Sequence, residues 1–175
     1  MLILIISFLK KNQKEIKFLL LFIFLFLSGN IIFILSIPQL KPILVDKITV
    51  YPTLKLINLI TPDEKIHIEN SGVITGSVSM SILSGCEGTQ GVLILTSALL
   101  AFPMKIKEKI FGILLGTCFI YIFNLTRLVS LYYILKYNPY FFDLTHTYVG
   151  QISLIFIGVI FFVLWVEKAR IKEKK

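Results

Sequence analysis

The sequence predicts an all-α integral membrane protein of about four transmembrane helices, with a short extracytoplasmic segment between the first and second. Three observations predict it. First, 56% of the 175 residues are hydrophobic and 16% are charged, an apolar excess that a soluble domain of this size does not carry. Second, the apolar residues fall into runs near the length of about 18 that a membrane crossing needs. Third, the basic residues cluster at the run ends: Lys10, Lys11, Lys14 and Lys17, then Lys105, Lys107 and Lys109, then a tail holding Lys168, Arg170, Lys172, Lys174 and Lys175. Such clusters read as cytoplasmic anchors. They account for the formal net charge of +8 through membrane lipids, so no nucleic-acid partner is implied. One membrane domain, residues 1–175, is expected, with both termini on the cytoplasmic side.

Met1 to Leu9 is apolar but too short to span and lacks the basic start and small-residue cleavage site of a secretory signal. It reads as an interfacial lead-in. Residues 18–37 are almost all Leu, Ile and Phe and form the first span, running outward. Pro38 and Pro42 then end helix continuation. Residues 38–85 balance Lys against Asp and Glu, which puts this segment outside. Within it, Ile43, Leu44, Ile48, Tyr51, Leu54 and Leu59 recur near helical spacing, and Pro52 interrupts them, so a broken surface helix is expected. Ile66 and Ile68 alternate with His67 and Glu69, Asn70-Ser71-Gly72 supplies a turn, and residues 77–82 alternate again. That pattern predicts a short β-hairpin. The second span is 86–102, a short inward crossing closed by Pro103. The third is 110–135, long enough to tilt. Asn138-Pro139 marks the outer turn, 148–166 is the fourth span, and 167–175 is the cytoplasmic basic tail.

The chemistry-bearing residues lie near one surface. Cys86 stands in Ser84-Gly85-Cys86-Glu87-Gly88-Thr89-Gln90-Gly91, a small-residue turn entering an apolar helix. It reads either as a nucleophile, with room around its sulfur and a helix N-terminus favouring the thiolate, or as a small packed residue. A disulfide to Cys118 is not expected: Cys118 lies about 12 Å up its helix from the cytoplasmic end, and Cys86 sits at the opposite surface. Cys118 is expected to be a buried filler. Arg127 lies inside the third span, where an arginine costs about 2.5 to 3.5 kcal/mol to insert. Thr117, Tyr121, Asn124 and Arg127 fall on one helical face, which turns a polar stripe inward. Arg127 reads either as a member of an interior site or as a snorkelling side chain. Asn124 either orients Arg127 or joins helices. His146 opens the fourth span from outside, with Gly150 and Ser153 below it to permit close packing. It is a site residue or an interfacial anchor. Glu87 either positions substrate amides or is an exposed turn residue. No His-x-x-x-His, Cys-x-x-Cys or phosphate-loop spacing occurs, so no metal or cofactor is implied.

Taken together, Gly85-Cys86-Glu87-Gly88, the run Val92 to Leu95, Leu100-Ala101-Phe102-Pro103, the segment Asn124 to Tyr133 and the late His146 resemble the exosortases and their archaeal relatives, the archaeosortases. The compact form looks most like the exosortase H subgroup. Larger members carry more spans before the cysteine than the single one expected here. The resemblance implies a cell-membrane cysteine transpeptidase with Cys86, Arg127 and His146 as its catalytic set, Asn124 and Glu87 in support, and the site facing the extracytoplasmic side. It also implies a substrate class: exported proteins ending in a short motif, a transmembrane helix and a basic tail. A thioester on Cys86 would be the intermediate, resolved by water or an acceptor amine. The competing expectation is a small membrane binding protein or transporter subunit that uses Arg127 and His146 for an anionic ligand. A third option takes Cys86 and His146 as metal ligands, with only His67 and Asp143 left to complete the set.

Overall fold

The computed structural model describes residues 12–82 and 85–173. The predicted lead-in at Met1 to Leu9, the anchors Lys10, Lys11, Lys174 and Lys175, and Ser84 of the cysteine turn lie outside the described residues. The fold is predominantly helical, as expected for an all-α membrane protein. Three helical stretches, Gln13–Ile60, Ile106–Tyr137 and Pro139–Ile171, are long and apolar enough to cross a membrane, and Thr89–Ala101 is a shorter apolar helix.

Helix α1 (Gln13–Lys41) does not end at its prolines. Pro38 lies inside it, and Pro42 opens a π-helical stretch, Pro42–Val50, that passes into α2 (Tyr51–Ile60). The expected break is absent: Lys41 and Val50 keep right-handed helical backbone, and from Pro42 the bonding widens to the π pattern, a way for a helix to pass an interruption of its regular ladder. Tertiary packing also holds this stretch, since Val45, Thr49, Val50, Thr53 and Ile57 are buried. Thr49 donates its hydroxyl to the Leu44 carbonyl at 2.7 Å, satisfying an acceptor inside the wide turn.

The expected hairpin is present and is one strand richer. Strands β1 (His67–Asn70), β2 (Val73–Thr75) and β3 (Ser79–Ser81) form an antiparallel sheet in that order. Gly72 sits at the β1–β2 turn with φ +78°, a conformation that favours glycine. Asp46 clamps this turn by accepting from the Gly72 N–H at 2.9 Å and from the Ser71 hydroxyl. Ile74 and Met80 face inward, and with Val45, Ile57, Ile82, Leu128 and Tyr132 they build a cap core in which Cys86 is included.

Helix α3 (Thr89–Ala101) is the hub, packing against α1, α4 (Ile106–Tyr137) and α5 (Gly150–Glu173). Its 13 residues rise about 20 Å, so it begins later than the predicted second span, after a turn that carries Cys86. The bundle core is Leu95, Leu99, Ile120, Leu154 and Trp165. Gly112 and Gly116 let α4 and α5 approach: a Cβ at Gly112 would lie 2.5 Å from Trp165 Nε1, and one at Gly116 would lie 2.8 Å from Phe161. Helix α4 passes through both cores, with Ile120 in the bundle and Leu128 in the cap. Asn124 and Arg127 fall between these layers.

Candidate active site

Two glycines shape the cysteine turn. Gly85 and Gly88 have φ of +104° and +79°, backbone that side-chain-bearing residues rarely adopt. Gly88 also needs to be bare: a Cβ there would lie 3.1 Å from Asn124 Cγ. This close approach lets Asn124 Nδ2 donate to the Cys86 carbonyl at 2.9 Å. One side chain of α4 thus fixes the backbone of the turn before α3. The sulfur is not open, as the flanking glycines suggested. Cys86 is only 8% exposed and packs on the cap core.

Arg127 is buried as well, at 9% exposure, so it does not snorkel. One turn above Asn124, its Nη1 donates to Asn124 Oδ1 at 3.3 Å, and its Nη2 donates to the His146 carbonyl at 3.3 Å. These bonds use two of the five N–H donors of the guanidinium. Nε has no hydrogen-bond partner among the described residues. The guanidinium lies against Gly150, where a Cβ would stand 2.3 Å from Nε and 2.9 Å from Cζ. It is also close enough to Cys86 to interact with it electrostatically.

His146 sits in a second π-helical stretch, Thr145–Val149, leading into α5. Its Nε2 is 3.4 Å from Cys86 Sγ, within hydrogen-bond reach for sulfur. The imidazole stacks on Phe142, with centroids 5.6 Å apart and planes at 8°. The ring is therefore oriented by an aromatic neighbour, while its backbone carbonyl is held by Arg127. Ser153 donates to the Gly150 carbonyl at 3.0 Å, bracing the turn below.

The three residues singled out from three helical stretches are thus contiguous, and Asn124 completes the chain Cys86–Asn124–Arg127–His146. Glu87 stands apart. It is half-buried, and its carboxylate turns back to accept from the Gly85 N–H at 2.5 Å, which makes it a brace of the turn. Cys118 is exposed, contrary to its expected role as filler. It lines a lateral cavity of 520 Å³ with Phe33, Glu87, Thr117 and Tyr121, because α4 turns that face toward the gap beside α1. Both cysteines are free. The stripe Thr117, Tyr121, Asn124 and Arg127 splits accordingly: the upper pair enters the site, whereas Tyr121 donates to the Ile48 carbonyl at 2.9 Å. His67 is exposed on β1 and Asp143 is exposed beside His146. Among the described residues no group of three or more His, Cys, Asp or Glu gathers as for a metal ion. Phe142 is not singled out by the sequence reading, and Gly150 enters it only as a close-packing position below His146. Their spacing of four from His146 was the available signal, since such residues share a helical face.

Comparison with known proteins finds no matching family model, no matching curated protein and no matching solved structure. The chemistry of the site therefore rests on its own geometry. A thiol within reach of an imidazole, with a guanidinium fixed beside both, can generate a nucleophile and stabilise developing negative charge.

Proposed function

We propose that the chain is a membrane-embedded cysteine peptidase or transpeptidase acting on the C-terminal sorting signals of exported proteins. The carrying observation is the 3.4 Å separation of Cys86 Sγ and His146 Nε2, an approach of two singular residues lying 60 positions apart in the chain. The resemblance to exosortases at Cys86, Arg127 and His146 supports the substrate class.

In this reading His146 Nε2 takes the thiol proton, and the sulfur attacks the scissile carbonyl carbon. Arg127 stabilises the resulting oxyanion with N–H donors that its protein partners leave free. The C–N bond breaks, the leaving amine takes the proton back from His146, and a thioester remains on Cys86. Water or an acceptor amine then attacks the thioester and frees the thiol. Asn124 holds the Cys86 backbone and the guanidinium in register. At 8% exposure the sulfur meets substrate only when the turn moves aside, so substrate binding and opening are coupled.

The corresponding topology has four crossings, of which α3 is the short one, and both ends cytoplasmic. The cap of α2 and the sheet then lies on the outer side. Lys105 and the first turn of α4, with Lys107 and Lys109, and the basic tail face the cytoplasm, in keeping with the positive-inside bias.

The test is coexpression with a reporter that ends in a motif, an apolar helix and a basic tail, drawn from the same genome. Gel mobility should shift with the wild-type chain, and the shift should vanish with Cys86→Ala and fall by at least 100-fold with Arg127→Ala. A reporter processed normally by Cys86→Ala removes the nucleophile and favours an anion-binding membrane protein.

A further inference from the structure

A histidine that serves as a general base is ordinarily aimed by a third group, which bonds the ring nitrogen that the chemistry does not use. His146 lacks such a group. Its Nε2 lies 3.4 Å from Cys86 Sγ, and among the described residues no hydrogen bond reaches its Nδ1. Asp143, the carboxylate three positions before it, is exposed and bonds neither ring nitrogen. The bond from Arg127 to the His146 carbonyl holds the main chain and leaves the side-chain torsions to something else. That something is Phe142, whose ring stacks on the imidazole with centroids 5.6 Å apart and planes at 8°. Phe142 is half-buried and packs on the cap core that includes Cys86. The backbone accounts for the near-parallel stack. Four residues of an α-helix rise about 6 Å and turn about 40° past a full circle. In the wide turn Thr145–Val149 five residues rather than four span each bond, so each residue turns through less and part of that excess is taken back. His146 is thereby brought toward register above Phe142.

We propose that Phe142 is a positioning residue of the site: its ring stands in for the hydrogen-bonding third group and holds the His146 plane so that Nε2 meets Cys86 Sγ. The inference rests on the cysteine-peptidase reading and adds how the base of that site is aimed. A stacked ring restrains the imidazole plane without bonding either nitrogen, so it favours neither tautomer. When Nε2 takes the thiol proton, the imidazolium forms over an aromatic face, whose quadrupole attracts a cation at this range. Anchoring on the cap core ties the base to the same layer that packs the nucleophile.

Two measurements on the full-length protein test this. His67 is the only other histidine, so in a His67→Asn background the imidazole proton signals in detergent belong to His146 alone. A ring stacked on the imidazole shields those protons. They should resonate upfield of their position in the denatured chain, Phe142→Tyr should keep the shift, and Phe142→Leu should abolish it. The second measurement is reporter processing in membranes. Phe142→Leu, which keeps an apolar side chain against the cap core, should lower kcat at least tenfold with KM changed by less than about twofold, since a misplaced base slows chemistry and not binding. Phe142→Tyr should retain at least about half the wild-type rate, and Asp143→Asn should process normally. A folded His67→Asn protein without the upfield shift overturns the assignment even if Phe142→Leu does not fold. So does a normal kcat in Phe142→Leu, or a loss in Asp143→Asn as large as its own, which would make the carboxylate the aiming group. The two readings separate on Cys86→Ala: processing abolished there with an unshifted imidazole signal sinks the positioning role alone, whereas processing retained there sinks the peptidase.

Discussion

Asn124 illustrates how much of the site depends on single atoms. Its amide faces two ways, Nδ2 to the Cys86 carbonyl and Oδ1 to Arg127. Asn124→Leu keeps the branched shape and removes both bonds. It should cost about 1 to 3 kcal/mol of stability, the range for unsatisfying a buried polar partner, and should lower reporter processing well beyond what that loss explains. Asn124→Asp restores the acceptor for Arg127 but not the donor for Cys86, so it should recover part of the activity. Equal activity in Asn124→Leu and wild type at equal folded yield would reduce Asn124 to a packing residue. Gly150 gives a second test at this scale. A Cβ there would stand 2.3 Å from Arg127 Nε, so Gly150→Ala must displace the guanidinium from the His146 carbonyl. Processing should fall at least tenfold, while Gly158→Ala, whose added Cβ meets nothing closer than 3.8 Å, should process normally. A similar fall in both variants would locate the effect in helix packing.

Among the elements, a buried carboxylate ties the cap to α4, beside the Thr61–Tyr133 hydroxyl pair and the Tyr121 bond to the Ile48 carbonyl. Buried Glu64 accepts from Tyr132 at 2.8 Å and from Ser77 at 2.8 Å, and pairs with Lys136. Glu64→Ala strands the Lys136 and Tyr132 donors and should destabilise the folded chain by about 3 kcal/mol, read as a lowered Tm in detergent. An unchanged Tm would mean that the apolar contacts of the cap suffice. The clamp was not legible in the sequence, because Glu64 and Lys136 are 72 positions apart and nothing local pairs them. The apolar helices were legible, since span length and hydropathy are local properties, and so was the meeting of Cys86, Arg127 and His146 at one level, which follows from counting 1.5 Å per residue along each span. Sequence reasoning failed where packing overrode a local rule: the helix runs on past Pro42 because the stretch Pro42–Val50 takes π-helical bonding and buries Val45, Thr49 and Val50, while nothing in the structure explains why Pro38 leaves α1 unbroken. Val73–Thr75 was likewise unseen as a strand. Three residues are too few to show a period, and the pairing of β2 with both neighbours defines it.

At the scale of the whole molecule, the chain is two cores threaded by α4, a bundle core of apolar helices and a cap core that includes the cysteine turn. Helix α4 has 32 residues, or about 48 Å, which exceeds a hydrocarbon layer of about 30 Å. Its excess length falls at the cap end, where Tyr132, Tyr133 and Lys136 bond to Glu64 and Thr61. At the other end, Trp165 donates to the Glu108 carbonyl at 3.0 Å beside the lysine loop. On the proposed reading, in which the substrates are exported, the cap lies outside and the Trp165 end inside. The prediction is a labelling pattern in a background of Cys86→Ala with Cys118→Ser. Ser71→Cys, in the exposed β1–β2 turn, should react with a membrane-impermeant maleimide in intact spheroplasts. Lys107→Cys, in the first turn of α4 at the opposite end, should react only after the membrane is permeabilised. Because the two residues lie at opposite ends of one folded unit, the reverse pattern would invert the whole chain. It would put Cys86 on the cytoplasmic side, where exported substrates do not reach it, and the peptidase reading would fail with the topology.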